Sequence, residues 1–107
     1  LVGRVLTENL RMTDKIGRYG GEEFLIVLPH TSLENAVMIA EKLRASIEEE
    51  SASAGELTRG VTVSVGVSEI GEDTKDGHDL INDADIRMYR AKKEGKNRVC
   101  CDDHPRA

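Results

Sequence analysis

Arg18-Tyr19-Gly20-Gly21-Glu22-Glu23-Phe24-Leu25-Ile26-Val27-Leu28-Pro29 is the stretch whose reading decides the architecture. Residues 16–28 read as strand, tight turn, strand. Gly20-Gly21 supplies the turn, because glycine takes positive φ cheaply. Phe24 to Leu28 is a continuous apolar run of the kind found in buried strands, and Pro29 closes it. Two glycines at a hairpin tip leave room for a ligand to approach the backbone, and two carboxylates follow at once. Carboxylate oxygens are natural ligands for Mg²⁺, which keeps waters and substrate phosphates as its other partners. Successive strand residues point to opposite faces, so Glu22 and Glu23 cannot serve one metal in the same way. By residue types alone, a plain hairpin carrying two solvated glutamates accounts for the stretch as well.

Outward from the hairpin, helices and strands alternate. Residues 1–13 carry a rough apolar stripe of Val2, Val5, Leu6 and Leu10 and read as a helix. Thr31 and Glu34 have capping-box spacing, so a second helix is expected to start at Thr31. Its apolar face is Leu33, Ala36, Val37, Ala40, Leu43 and Ile47, and it is expected to dissolve over residues 48–55. Residues 61–67 alternate perfectly, a strand with valines on one face. Residues 79–94 form a third helix, with Leu80, Ala84, Met88 and Ala91 in one stripe and Gly95 at its end. Residues 97–101 suit a short closing strand, with a frayed tail after it. The order predicts an α/β (α+β) sandwich, a mostly antiparallel central sheet flanked by helices.

Composition narrows the function. The 107 residues suit one domain and carry a formal charge of −5. That balance, with 3 % aromatics and no Trp, argues against non-specific nucleic-acid binding and base-stacking platforms. No apolar run is long enough for a membrane span, and the first residues do not read as a signal peptide. Cys100 and Cys101 are adjacent, which disfavours a disulfide between them and suggests a reducing, cytoplasmic setting. Their neighbours Asp102, Asp103 and His104 fit no zinc spacing. His30, His78 and His104 receive no chemistry and are expected at the surface.

The stretch Arg18–Phe24 resembles the signature of the GGDEF family, the diguanylate cyclase domains, in its Gly-Gly-Glu-Glu-Phe form. The likeness runs from about Val2 to Val99. It includes the strand ending at Pro29, the helix after Thr31, and Ser64-Val65-Gly66-Val67. It closes with Ala84-Asp85, then Met88-Tyr89-Arg90-Ala91-Lys92, then Gly95-Lys96-Asn97-Arg98. The resemblance implies a nucleotidyl-cyclase-like fold. It also implies condensation of two GTP into cyclic di-GMP with release of pyrophosphate, one GTP on each domain of a homodimer. Mg²⁺ (or Mn²⁺) is the implied cofactor for such phosphoryl transfer.

Carried onto this chain, Glu22 matches the metal-binding and catalytic acidic position, and Glu23 matches the adjacent glutamate. Gly20 and Gly21 match the positions that admit the nucleotide. Lys92 and Lys96 match the triphosphate contacts; four residues apart at a helix end, they can project from one face. The family often has arginine at the second position, so Lys96 keeps the charge and loses the bidentate fork. Without the resemblance, both lysines read as helix C-terminal cations favoured by the macrodipole. Arg11-Met12-Thr13-Asp14 resembles the family's RxxD inhibitory site for the product. A further arginine often comes from the following helix, where this chain has Lys42.

The resemblance covers the C-terminal two-thirds of the family domain, so residues 1–107 read as a partial domain, with 99–107 as closing strand and tail. The first strand, which carries a metal aspartate in the family, and the first helix are missing from this stretch. The fragment alone is therefore expected to be inactive, and the parent to carry an upstream sensor or receiver domain. A non-catalytic domain for sensing cyclic di-GMP or GTP, or for dimerisation, is the competing expectation. Neither nucleic acid nor membrane is expected as a partner of this segment.

Overall fold

The computed structural model describes residues 2–20, 23–53, 60–70 and 76–102, with the side chains of residues 18–20 left aside. The elements follow the order α1 (Val2–Asn9), β1 (Lys15–Gly20), β2 (Glu23–Val27), α2 (Leu33–Ser53), β3 (Val65–Gly66), α3 (Gly77–Lys93) and β4 (Val99–Cys100). This is the mixed helix-and-strand architecture that the sequence predicts. The strands make two ladders. β1 and β2 pair antiparallel, with Ile16 opposite Ile26 and Arg18 opposite Phe24. β3 and β4 pair parallel, with Val65 opposite Val99.

α2 organises the interior because its apolar stripe touches two clusters. Leu43 and Ile47 meet Val5 and Leu6 of α1, with Ile26, Val61 and Val63 packed around them. One to two turns earlier, Ala36 and Ala40 meet Val67, surrounded by Leu28, Val65 and Val99. Burying a side chain such as Ile47 is worth about 1.5–3 kcal/mol. The small residues Ala36 and Ala40 let the β3–β4 ladder come close.

Several boundaries differ from the sequence expectation. α1 stops at Asn9 rather than residue 13, because Arg11–Asp14 forms a turn: Asp14 N–H donates to Arg11 O at 3.0 Å. α2 is capped by Ser32, whose Oγ accepts from Asn35 N–H at 3.2 Å; Thr31 Oγ bonds instead to Pro29 O at 3.0 Å. α2 also runs on to Ser53. The apolar stripe continues through Ser51, which is buried and accepts from Val61 N–H at 2.7 Å, so a satisfied hydroxyl takes the place of the next apolar residue. Only Val65–Gly66 of the alternating 61–67 stretch is in a ladder, although Val61 and Val63 still face the core. Periodicity marks the face; a ladder needs a partner. β2 is not wholly buried: Phe24 is 37 % and Val27 47 % exposed. Ile26 and Leu28 are the residues of this run that pack against the two clusters, while Val27 on the opposite face and Phe24 at the hairpin end stay exposed.

α3 begins at Asp76, whose carboxylate accepts from Asp79 N–H at 2.9 Å. It lies across β3, and Arg87 reaches Val67 O at 2.8 Å. It ends in a Schellman turn, with Gly95 at φ +126° and Lys96 N–H donating to Ala91 O at 3.0 Å. Cys100 is buried and Cys101 half-buried at the end of β4. No helix among the described residues is long and apolar enough to cross a membrane.

Candidate functional site

The hairpin holds the first group of expected site residues. Gly20 closes β1 opposite Glu23, and the ladder slips between Arg18 and Gly20, so Tyr19 is the extra residue of a bulge. Glu23 is half-buried at the first position of β2. Gly21 and Glu22 lie outside the described residues. Among the described residues no group of three or more His, Cys, Asp or Glu side chains could hold a metal. Glu23 alone supplies one carboxylate, which does not make a Mg²⁺ site without further ligands.

The end of α3 holds the second group. Lys92 lies in the last turn of the helix and is exposed. Lys96 lies two residues beyond the cap Glu94, at φ +64°. Helical periodicity therefore does not relate the two lysines, because the chain leaves the helix before Lys96 and folds back through the Lys96–Ala91 hydrogen bond. Neither ammonium has an ion-pair partner among the described residues, whereas Arg90 close by is tied to Glu94 at 2.6 Å and to Asp102. Two unneutralised cations at one corner suit a polyanion.

The third group forms a cleft of about 400 Å³ between the Arg11–Asp14 turn, residues 29–31 and the first turns of α2. Arg11 grips Asp14 side-on, with Nη2–Oδ1 at 3.0 Å and Nε–Oδ2 at 3.3 Å. Arg11 N–H also donates to Asp14 Oδ2 at 2.8 Å, and Nη2 reaches Thr31 Oγ1 at 2.8 Å. The Asp14 side chain is 1 % exposed while that of Arg11 is 54 % exposed. The Arg11 hydrogen bonds hold the Asp14 carboxyl below the usual carboxylate range, against a smaller opposing effect of burial. Asp14 in turn raises the Arg11 pKa, so the guanidinium stays charged. Arg11 Nη1 has no partner among the described residues and is left for a ligand.

Asn35, Met38 and Ile39 of α2 form the far wall. Lys42 is exposed one turn beyond Met38, on the same helix face and outside the wall itself. His30 lines the cleft at φ +53°, a placement that sequence reasoning missed. Nothing local marks it, because the left-handed turn after Pro29 aims it. His78 is exposed at the start of α3, and His104 lies outside the described residues.

The family model described as diguanylate cyclase, GGDEF domain, matches residues 1–98. Diguanylate cyclase A of Treponema denticola is 37 % identical over 98 residues, covering 92 % of this chain and 26 % of its own length. The chain thus spans about a quarter of that relative. The solved active GGEEF domain of a diguanylate cyclase from Vibrio cholerae superposes with a TM-score of 0.85 at 29 % identity, covering 99 % of this chain and 65 % of its own. The GGDEF domain of DgcB from Caulobacter crescentus, solved in complex with c-di-GMP, gives a TM-score of 0.81 at 27 % identity, covering 94 % and 60 %. With its signature hairpin, its α3 corner and a match over nearly its whole length, the chain belongs to the GGDEF family of diguanylate cyclase domains.

Proposed function

We propose that the protein containing this chain is a diguanylate cyclase that condenses two GTP into cyclic di-GMP and pyrophosphate. The family match over residues 1–98, with the Gly-Gly-Glu-Glu-Phe sequence joining the paired strands β1 and β2, carries the reading. In each of two steps a ribose 3′-hydroxyl attacks an α-phosphate. A P–O bond forms, pyrophosphate leaves, and the hydroxyl proton passes to solvent or a base. Each GTP sits on one of two domains, so the working unit is a homodimer.

Lys92 and Lys96 draw in the triphosphate as point charges. Gly20 and Gly21, having no side chains of their own, admit the nucleotide to the hairpin. Glu22 and Glu23 supply acidic groups at that tip. Mg²⁺ or Mn²⁺ is the expected cofactor and would neutralise phosphate charge when bound. The described residues do not by themselves complete its site, so no step here runs through it. The Arg11–Asp14 cleft is the inhibitory product site: Arg11 Nη1 faces guanine acceptors, and Lys42 stands where a second cation is useful. We assign the domain to the cytoplasm, downstream of a sensor or receiver domain.

A second reading, a domain that only senses cyclic di-GMP, is supported by the cleft beside Arg11 and Asp14. Turnover of GTP by the full-length protein separates the two. Glu22→Gln abolishes turnover and spares cyclic di-GMP binding if the protein is a cyclase. Absence of turnover in the unaltered protein, with binding intact, favours the sensor.

A further inference from the structure

We propose that Asn97, clamped by Arg44 and Glu48 of α2, is a positioning residue for Lys96. The proposal rests on the reading of Lys96 as a triphosphate contact. After the Schellman turn the backbone stays left-handed, with Lys96 at φ +64° and Asn97 at φ +49°. L-residues resist that region; asparagine tolerates it best among side chains other than glycine. Two consecutive residues there need something to hold them. Asn97 Oδ1 accepts from Arg44 Nη1 at 2.9 Å, and Asn97 Nδ2 donates to Glu48. Both halves of the amide are used, which fixes its orientation as well as its position.

The clamp is itself braced. Arg44 is 17 % exposed, lies 3.6 Å from Glu48, and donates from its Nε to Glu41 Oε1 at 2.8 Å. Its partners are far apart in sequence, so the clamp ties the end of α3 to the middle of α2. Lys96 is therefore pinned at its backbone on both sides: its N–H bonds to Ala91 O, its carbonyl accepts from Arg98 Nε at 3.2 Å, and the next residue is clamped. Its ammonium is exposed and has no partner among the described residues. A fixed stem with an unpaired head is a pre-organised cation, and misplacing such a group is costly to binding.

The test uses the full-length protein and a non-hydrolysable GTP analogue, with guanosine monophosphate and cyclic di-GMP as controls. Asn97→Gly keeps the left-handed backbone accessible and removes the clamp. It is expected to weaken the analogue about tenfold, with guanosine monophosphate, cyclic di-GMP and melting temperature little changed. Combined with Lys96→Ala, Asn97→Gly is expected to add no further loss. Equal losses for all three ligands, or a matching fall in melting temperature, make Asn97 merely structural and overturn the proposal. A silent Asn97→Gly beside a damaging Lys96→Ala overturns the positioning role alone. A silent Lys96→Ala overturns the reading of Lys96 and the positioning role with it.

Discussion

Gly66 passes so close to α3 that a Cβ on it would lie 2.0 Å from the Ala84 carbonyl oxygen and 2.2 Å from the Met88 nitrogen. Those are backbone atoms, so neither can swing aside. Gly66 is what lets β3 pack under the helix whose last turn carries Lys92. Gly66→Ala is expected to destabilise the fold by about 3 kcal/mol or more, since overpacking a tight interior costs of that order. Thermal unfolding of the full-length protein measures this as a fall in the melting temperature of this domain. An unchanged melting temperature would mean that β3 and α3 stand further apart.

Ser51→Ala removes the acceptor of Val61 N–H inside the core. The expected cost is about 1–3 kcal/mol, the usual penalty for stranding a buried donor. Urea unfolding should report a lower midpoint with an unchanged slope. Ser53→Ala, at an exposed position, serves as the near-neutral control.

The Ser51 result bears on what a sequence can disclose. An apolar stripe ended at Ile47, and a buried serine with a long-range partner is invisible to hydrophobic periodicity, so α2 reads six residues short. β3 errs the other way and reads too long, at 61–67 against Val65–Gly66, because alternation reveals a face and never a partner. Local rules fared best at the end of α3, where the Gly95 turn stops the helix close to its expected place; at the start of α2 they pointed to Thr31, and the neighbouring Ser32 is the cap. Of the site, the types and spacings of Arg11, Asp14, Lys92 and Lys96 were legible. The clamp on Asn97 and the entry of His30 into the cleft were not, because both depend on turns that bring distant residues together.

Arg11→Ala is expected to weaken cyclic di-GMP binding by about tenfold to a hundredfold, the range for losing charged hydrogen bonds. GTP turnover at low product should remain. Calorimetry with cyclic di-GMP, beside initial rates, checks both. Unchanged affinity and unchanged product inhibition would remove the cleft as the inhibitory site.

The Asp14 carboxyl titrates below its unfolded value because Arg11 bonds to its charged form. A depressed carboxyl stabilises the turn fully above the unfolded pKa of about 3.9, and that stabilisation is lost as pH falls through the lower folded value. Half of Arg11 is exposed, so the effect is screened and modest. Cyclic di-GMP affinity is expected to be insensitive to this group from pH 8 to about 5 and to weaken only below about pH 4. Asp14→Asn should remove that acid limb. Titration of binding against pH in both proteins decides it.

The measurement that bears most directly on the function is the product formed from GTP and Mg²⁺ by the full-length protein, identified by mass spectrometry. The expected result is cyclic di-GMP with two pyrophosphates per molecule, lost in Glu22→Gln while cyclic di-GMP binding persists. GTP left unconverted by the unaltered protein, or product still formed by Glu22→Gln at the unaltered rate, would contradict the assignment.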